Sequence, residues 1–255
     1  QPTPSSSASA AAQPSTAPEP SVAPAAQPAT AAPTRPISYL RSCGTPQGGW
    51  VSGTTYVLRQ GVVVSGSECF NLDSVQDVYI DCQRNSIQSS GTGVGVRVRG
   101  GNDNRISSCI IDGFATGIDV ISTRQLTLEL NTISVSSNHG ISLSQVDGGR
   151  IASNTITRNG RNGILLSGSS NLQLDRNTVE GNNWAGITFS ASARNVITSN
   201  RACGNYPDGQ IDVTVDLSSV GNSGQGNRFG VVNSAFARTS GYENNWPLAA
   251  DYTAC

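Results

Sequence analysis

Few residues in this sequence have the types and spacing that covalent chemistry requires. Cleaving a glycosidic bond takes two carboxyl groups about 5 to 9.5 Å apart, and the best-aligned acidic pair is Glu129 with Asp175. They fall in one column of a 23-residue repeat but two repeats apart, roughly 10 Å if each repeat advances by one strand spacing. That spacing makes them surface charges rather than an acid and a base. The same count sets Asp81 beside Arg105 and predicts a cross-strand ion pair. His139 is the lone histidine, and its column neighbours Thr116 and Asn162 offer no carboxylate to orient the ring. It reads as an exposed corner residue, not a general base. Serines abound, but no strained Gly-x-Ser-x-Gly elbow precedes a helix, so acyl-transfer chemistry is not predicted.

Metal chemistry fares no better. Acidic calcium loops are missing, and one histidine with no methionine cannot build a copper centre, so neither a metal nor a cofactor is predicted. Six cysteines (Cys43, Cys69, Cys82, Cys109, Cys203, Cys255) form no CxxC pair and point instead to disulfides in an oxidising compartment. Proximity in sequence favours Cys43 with Cys69 and Cys203 with Cys255, while Cys82 and Cys109 also suit small buried apolar positions. The residues best suited to hold a sugar are Trp184, Arg161 and Arg158, through ring stacking and guanidinium contacts. A solvated arginine face is the plainer alternative.

What positions these side chains is a repeat. Gly117, Gly140, Gly163, Gly186 and Gly209 recur every 23 residues, and the first four precede Ile118, Ile141, Ile164 and Ile187. A second column holds Asn131, Asn154, Asn177 and Asn200 at the same interval, extended upstream by Cys109 and Asn85. Apolar residues flank each asparagine, in the alternation of a strand with one buried face. Short strands broken by Asn and Gly at this period predict an all-β fold: a right-handed, single-stranded parallel β-helix of the pectate-lyase-like kind. The asparagines are expected at corners, with left-handed or bridge backbone angles and with amides bonded from coil to coil. The glycines are expected at a second corner with positive φ.

Residues 38–255 supply this solenoid with its caps, whereas residues 1–37 form a low-complexity tail holding nine of the twelve prolines. Ser and Thr beside Pro in the tail read as O-glycosylation sites, and no Asn-x-Ser/Thr sequon occurs. A formal net charge of -1 gives no basic footprint for nucleic acid, and no apolar run reaches the roughly 20 residues of a membrane span. The N-terminal Gln, without an initiator Met, predicts a secreted mature chain at the cell surface.

The runs IASNTITRNGRNGILL (Ile151 to Leu166) and LDRNTVEGNNWAGITF (Leu174 to Phe189) resemble the β-helix repeats of NosD-like and related carbohydrate-binding and sugar-hydrolase proteins. The segment from Gly53 to Ile87 is similar to that family's first coil, and the closing NNWPLAADYTAC to its terminal cap. The resemblance implies the fold; its members range from lyases and epimerases to surface proteins, so it implies no single activity. Without a catalytic constellation, the sequence points first to a non-enzymatic structural protein. In that reading it self-assembles into a homo-oligomer or filament through its coil ends and tail. A glycan-binding module is the alternative, and a polysaccharide lyase, epimerase or hydrolase with an unrecognised site the third.

Overall fold

Each coil begins as a stretch of alternating apolar residues too short to bury its own hydrogen-bonding edges, so it pairs with the coils before and after it. A computed structural model describes residues 34–64, 67–206, 211–233, 252–253 and 255. Their strands stack into three parallel sheets of nine, eight and nine members, called A, C and B here, as a right-handed β-helix. One coil contributes Arg124–Glu129 to sheet A, Thr132–Ser134 to sheet B and Ile141–Ser144 to sheet C. The next repeats the pattern with Asp147–Ala152, Thr155–Thr157 and Ile164–Ser167. The strand Ile37–Leu40 already pairs within sheet A, so the solenoid starts at or before residue 37. The tail expected over residues 1–37 lies almost wholly outside the described residues.

The core is made of columns. Ile106, Leu128, Ile151, Leu174 and Ile197 line sheet A from inside, Ile111, Ile133, Ile156 and Val179 line sheet B, and Ile118, Ile141, Ile164 and Ile187 line sheet C, all with 0% exposure. Each buried side chain of this size contributes about 1.5–3 kcal/mol relative to exposure. Identical neighbours repeat along the axis, so the pattern that fixes one coil fixes the next.

The asparagine column forms a hydrogen-bonded ladder. The backbone N–H and Nδ2 of Asn131 both donate to Oδ1 of Asn154 at 3.0 Å, and Asn154 does the same to Asn177. The series runs on through Asn200 to Asn227, and Cys109 N joins it by donating to Asn131 Oδ1. The remaining Nδ2 proton goes to a carbonyl of the preceding coil, as from Asn154 to Leu128. The left-handed residue is not the asparagine but the one before it: Ser108, Leu130, Ser153, Arg176 and Ser199 all have φ between 53 and 57°. A chain reversing inward must bend one residue early so that the amide points along the axis.

The glycine column also differs from expectation. Gly117, Gly140, Gly163 and Gly186 do not have positive φ; they are glycine because there is no room for a side chain. A Cβ on Gly163 would lie 2.3 Å from Val179 Cγ1 and 2.8 Å from Gly186 O. Gly209 lies outside the described residues, and the next coil's partner of Gly186 is Asp212, because Ile187 pairs with Val213.

Three disulfides cross-link the described residues: Cys43–Cys69, Cys82–Cys109 and Cys203–Cys255. The first two span 26 and 27 residues and tie adjacent coils. Closing a loop of that size stabilises the fold by about 3.5 kcal/mol through the unfolded chain. Cys82 and Cys109 are fully buried as well as paired, so both descriptions of them hold.

Candidate functional site

The acidic residues of sheet A face outward in a ladder of ion pairs. Arg105 bonds Glu129, Arg150 lies 3.8 Å from Glu129 and 2.9 Å from Asp175, and Arg176 closes the row at 2.7 Å from Asp175. Burial raises the Asp175 carboxyl, but hydrogen bonds from Thr198, Arg150 and Arg176 outweigh it and hold the group below the usual carboxylate range. A guanidinium therefore sits between the two carboxylates, where a sugar oxygen would have to lie. They do not form a hydrolytic pair.

Asp81 and Arg105 are not partners. The coil between them is longer than 23 residues, Tyr79 pairs with Arg105 and Asp81 with Ser107, and Arg105 lies 4.6 Å over the Tyr79 ring. Asp81 instead accepts a hydrogen bond from Gln83 N in the following turn.

The corner between sheets B and C is different. Backbone bonds stack Ala115, Asn138, Arg161 and Trp184 in one column, each step roughly one strand spacing. His139 and Asn162 stand one residue further along, at the mouth of sheet C. Inside the corner a second amide ladder, absent from the sequence-based expectations, runs from Ser136 through Asn159 and Asn182 to Asn205. It ends on Asp212, whose Oδ1 accepts from Asn205 N at 2.8 Å and Nδ2 at 2.7 Å; a carboxylate can finish such a chain because it has no proton to place. The interval of 23 from Asn159 to Asn182 to Asn205 was the available signal.

This inner ladder fixes the corner, and the outer side chains are left with unused polarity. Asn138 Oδ1 and His139 Nδ1 are both buried from solvent with no hydrogen-bond partner. Trp184 is 54% exposed. Arg158 and Arg161 are exposed, and neither is paired with a carboxylate among the described residues. Arg97, by contrast, is consumed by Glu68 and Asp119. The structure thus brings Trp184, Arg158 and Arg161 to one corner and adds Asn138 and His139. Burial lowers the His139 pKa and the Arg161 charge lowers it further, against a smaller opposing pull from Asp119. At neutral pH the ring is uncharged and can both give and accept a hydrogen bond.

A family model described as "Periplasmic copper-binding protein (NosD)" matches residues 48–254. The chain belongs to the NosD family. No curated protein matches it. Among solved structures, a mutant of the periplasmic alginate epimerase AlgG superposes with a TM-score of 0.54 at 15% identity, over 82% of this chain and 54% of that chain. Full-length tailspike protein 2 from Escherichia coli O157:H7 bacteriophage CAB120 superposes at 0.50 and 13% identity, over 76% of this chain and 31% of that chain. The NosD-family chain spans about half of the first and under a third of the second. The likeness to both is one of fold.

The copper in the NosD family description finds no matching donors in this chain. Copper centres draw on imidazole, thioether and thiolate ligands, and here there is one histidine, no methionine and six cysteines, all oxidised in pairs. Among the described residues no three His, Cys, Asp or Glu side chains gather as a ligand set. No helix is long and apolar enough to cross a membrane among them.

Proposed function

We propose that this protein is an exported carbohydrate-binding β-helix that holds an acidic polysaccharide at the corner between sheets B and C. One observation carries the reading: Asn138 Oδ1 and His139 Nδ1 are buried and unpaired beside an exposed tryptophan and two arginines without carboxylate partners. A buried polar atom without a partner costs about 1–3 kcal/mol, a cost that a ligand hydroxyl removes. The indole face stacks on a sugar ring, and Arg161 and Arg158 meet its carboxylate. Binding rather than turnover fits the lone, neutral His139 and the arginine-bound carboxylates of sheet A. The three disulfides and the periplasmic description of the family support export. The alternative of a self-assembling filament draws on the coil ends and on the tail, which lies almost wholly outside the described residues, and the unpaired polar atoms of the corner favour binding over it.

An array of immobilised acidic and neutral polysaccharides tests this. The protein retains acidic members, and Trp184→Ala or Arg161→Gln weakens retention by about tenfold or more, the worth of one charge-assisted contact. Arg84→Gln, which removes the same charge from the corner between sheets A and B, leaves retention unchanged. No retention of any acidic glycan, or equal loss on Arg84→Gln, overturns the proposal.

A further inference from the structure

Sheet A carries a second feature that the corner does not explain. Its inward column reads Leu126, Gly149, Leu172, so one coil has lost the side chain that its neighbours bury completely. The residue before it, Gly148, follows Gln125 and precedes Asn171 in the outward turn. Both glycines have positive φ, at 75 and 121°. A Cβ on Gly149 would fall 2.1 Å from Leu126 O, and one on Gly148 2.6 Å from Gln125 Nε2. Neither position leaves room for a side chain, because the Leu126 backbone and the Gln125 amide already fill that space.

Beside these glycines lies a cleft of about 380 Å3 lined by Asp103, Gln125, Thr127, Arg150, Asn171 and Gln173. A second hollow of about 570 Å3, beside Ser122 and Arg124, shares Gln125 in its lining. Small-ligand clefts of about 300–1,000 Å3 are usually apolar, but this one is lined almost wholly by amides, hydroxyls and charges.

Of the charges there, Arg150 is ion-paired, while Asp103 accepts a hydrogen bond from Asn102 Nδ2. Arg150 is held between Glu129 and Asp175. Asn171 donates to Asp147 and accepts from Arg194 at 3.2 Å, and Arg124 stands opposite Asp147 in the sheet. Hydrogen bonds from Asn171 and Ser170 hold the Asp147 carboxyl below its ordinary range, so it stays charged and paired. The side chains of Gln125, Thr127 and Gln173 have no partner within the described residues. Together they offer two amide donor-acceptor groups and one hydroxyl.

We infer that this cleft binds the hydroxyl edge of a neutral saccharide, as a site separate from the corner. Paired hydroxyls match amide donors and acceptors, and the arginine already paired with Glu129 and Asp175 gives a carboxylate sugar no advantage. A peptide side chain would find no apolar anchor here.

The test is calorimetric titration of the full chain with neutral hexose oligosaccharides, namely cello-, malto- and mannohexaose. At least one of the three binds, Gln125→Ala with Gln173→Ala weakens it by about tenfold or more, and Thr127→Trp, which fills the cleft, abolishes it. Trp184→Ala has no effect on it. The substituted positions are surface residues, and an unchanged circular dichroism spectrum confirms the fold of each variant. No binding of any of the three, survival of binding in the Gln125 and Gln173 double variant, or its loss on Trp184→Ala overturns the inference. Binding of acidic glycans at the corner is measured separately and stands or falls without it.

Discussion

Asn154 shows what a single residue does in this fold. Its side chain accepts two hydrogen bonds from Asn131 and donates one to Leu128 O and one to Asn177 Oδ1, at 1% exposure. Asn154→Ala leaves several buried groups unpaired, and chemical denaturation should show a loss of roughly 3 kcal/mol, against near zero for a half-buried control such as Ser144→Ala, whose hydroxyl makes no hydrogen bond among the described residues. The spacing of these asparagines and their coil-to-coil bonds were legible from sequence, because an amide repeated at one interval has few other uses. The backbone detail was not: the left-handed angle falls on residues as varied as Ser, Leu and Arg, which carry no conformational signature. His139 adds a pH dependence. Its folded pKa is lowered, so the unfolded chain binds the proton more readily; stability is full above about pH 6.5 and falls as pH drops from there through the folded value. Melting temperatures between pH 7 and 5 should decline, and His139→Gln should flatten that slope. The lowered aspartates Asp147, Asp175 and Asp216 lose their contribution only at more acid pH, from about 4 downward.

At the scale of the coil, the glycine column is a contact surface rather than a hinge. Gly163→Ala forces a methyl against Val179 and the Gly186 carbonyl, and should destabilise by about 1–3 kcal/mol without changing the strand content seen by circular dichroism. Sequence spacing located this column but not its cause, since positive φ and lack of space both select glycine. It misplaced Asp81 because coil length varies: Tyr79 pairs with Arg105, whereas Arg105 pairs with Thr127, so a fixed count drifts at the first coils. It did not mark the cleft beside Gly148 and Gly149, because a glycine standing between Leu126 and Leu172 in one column shows only once the register is known.

The described coils stack around a nearly uniform interior, so distinction lies in what each corner presents to water. Sheet A spends carboxylates and arginines on its own ladder; among the described residues the corner between sheets B and C leaves two arginines without carboxylate partners, an exposed tryptophan and three buried polar atoms, Ser136 Oγ, Asn138 Oδ1 and His139 Nδ1, without hydrogen bonds. That difference between satisfied and unsatisfied surfaces carries the functional reading, and the single histidine makes it measurable. An NMR titration following the Cε1 proton signal of this one imidazole, as an acidic oligosaccharide is added at pH 7, reports directly on the corner. The signal of His139 should move saturably with ligand and stay in place with the Arg161→Gln variant. A wild-type signal that does not move while the oligosaccharide is bound would put the ligand elsewhere and contradict the account.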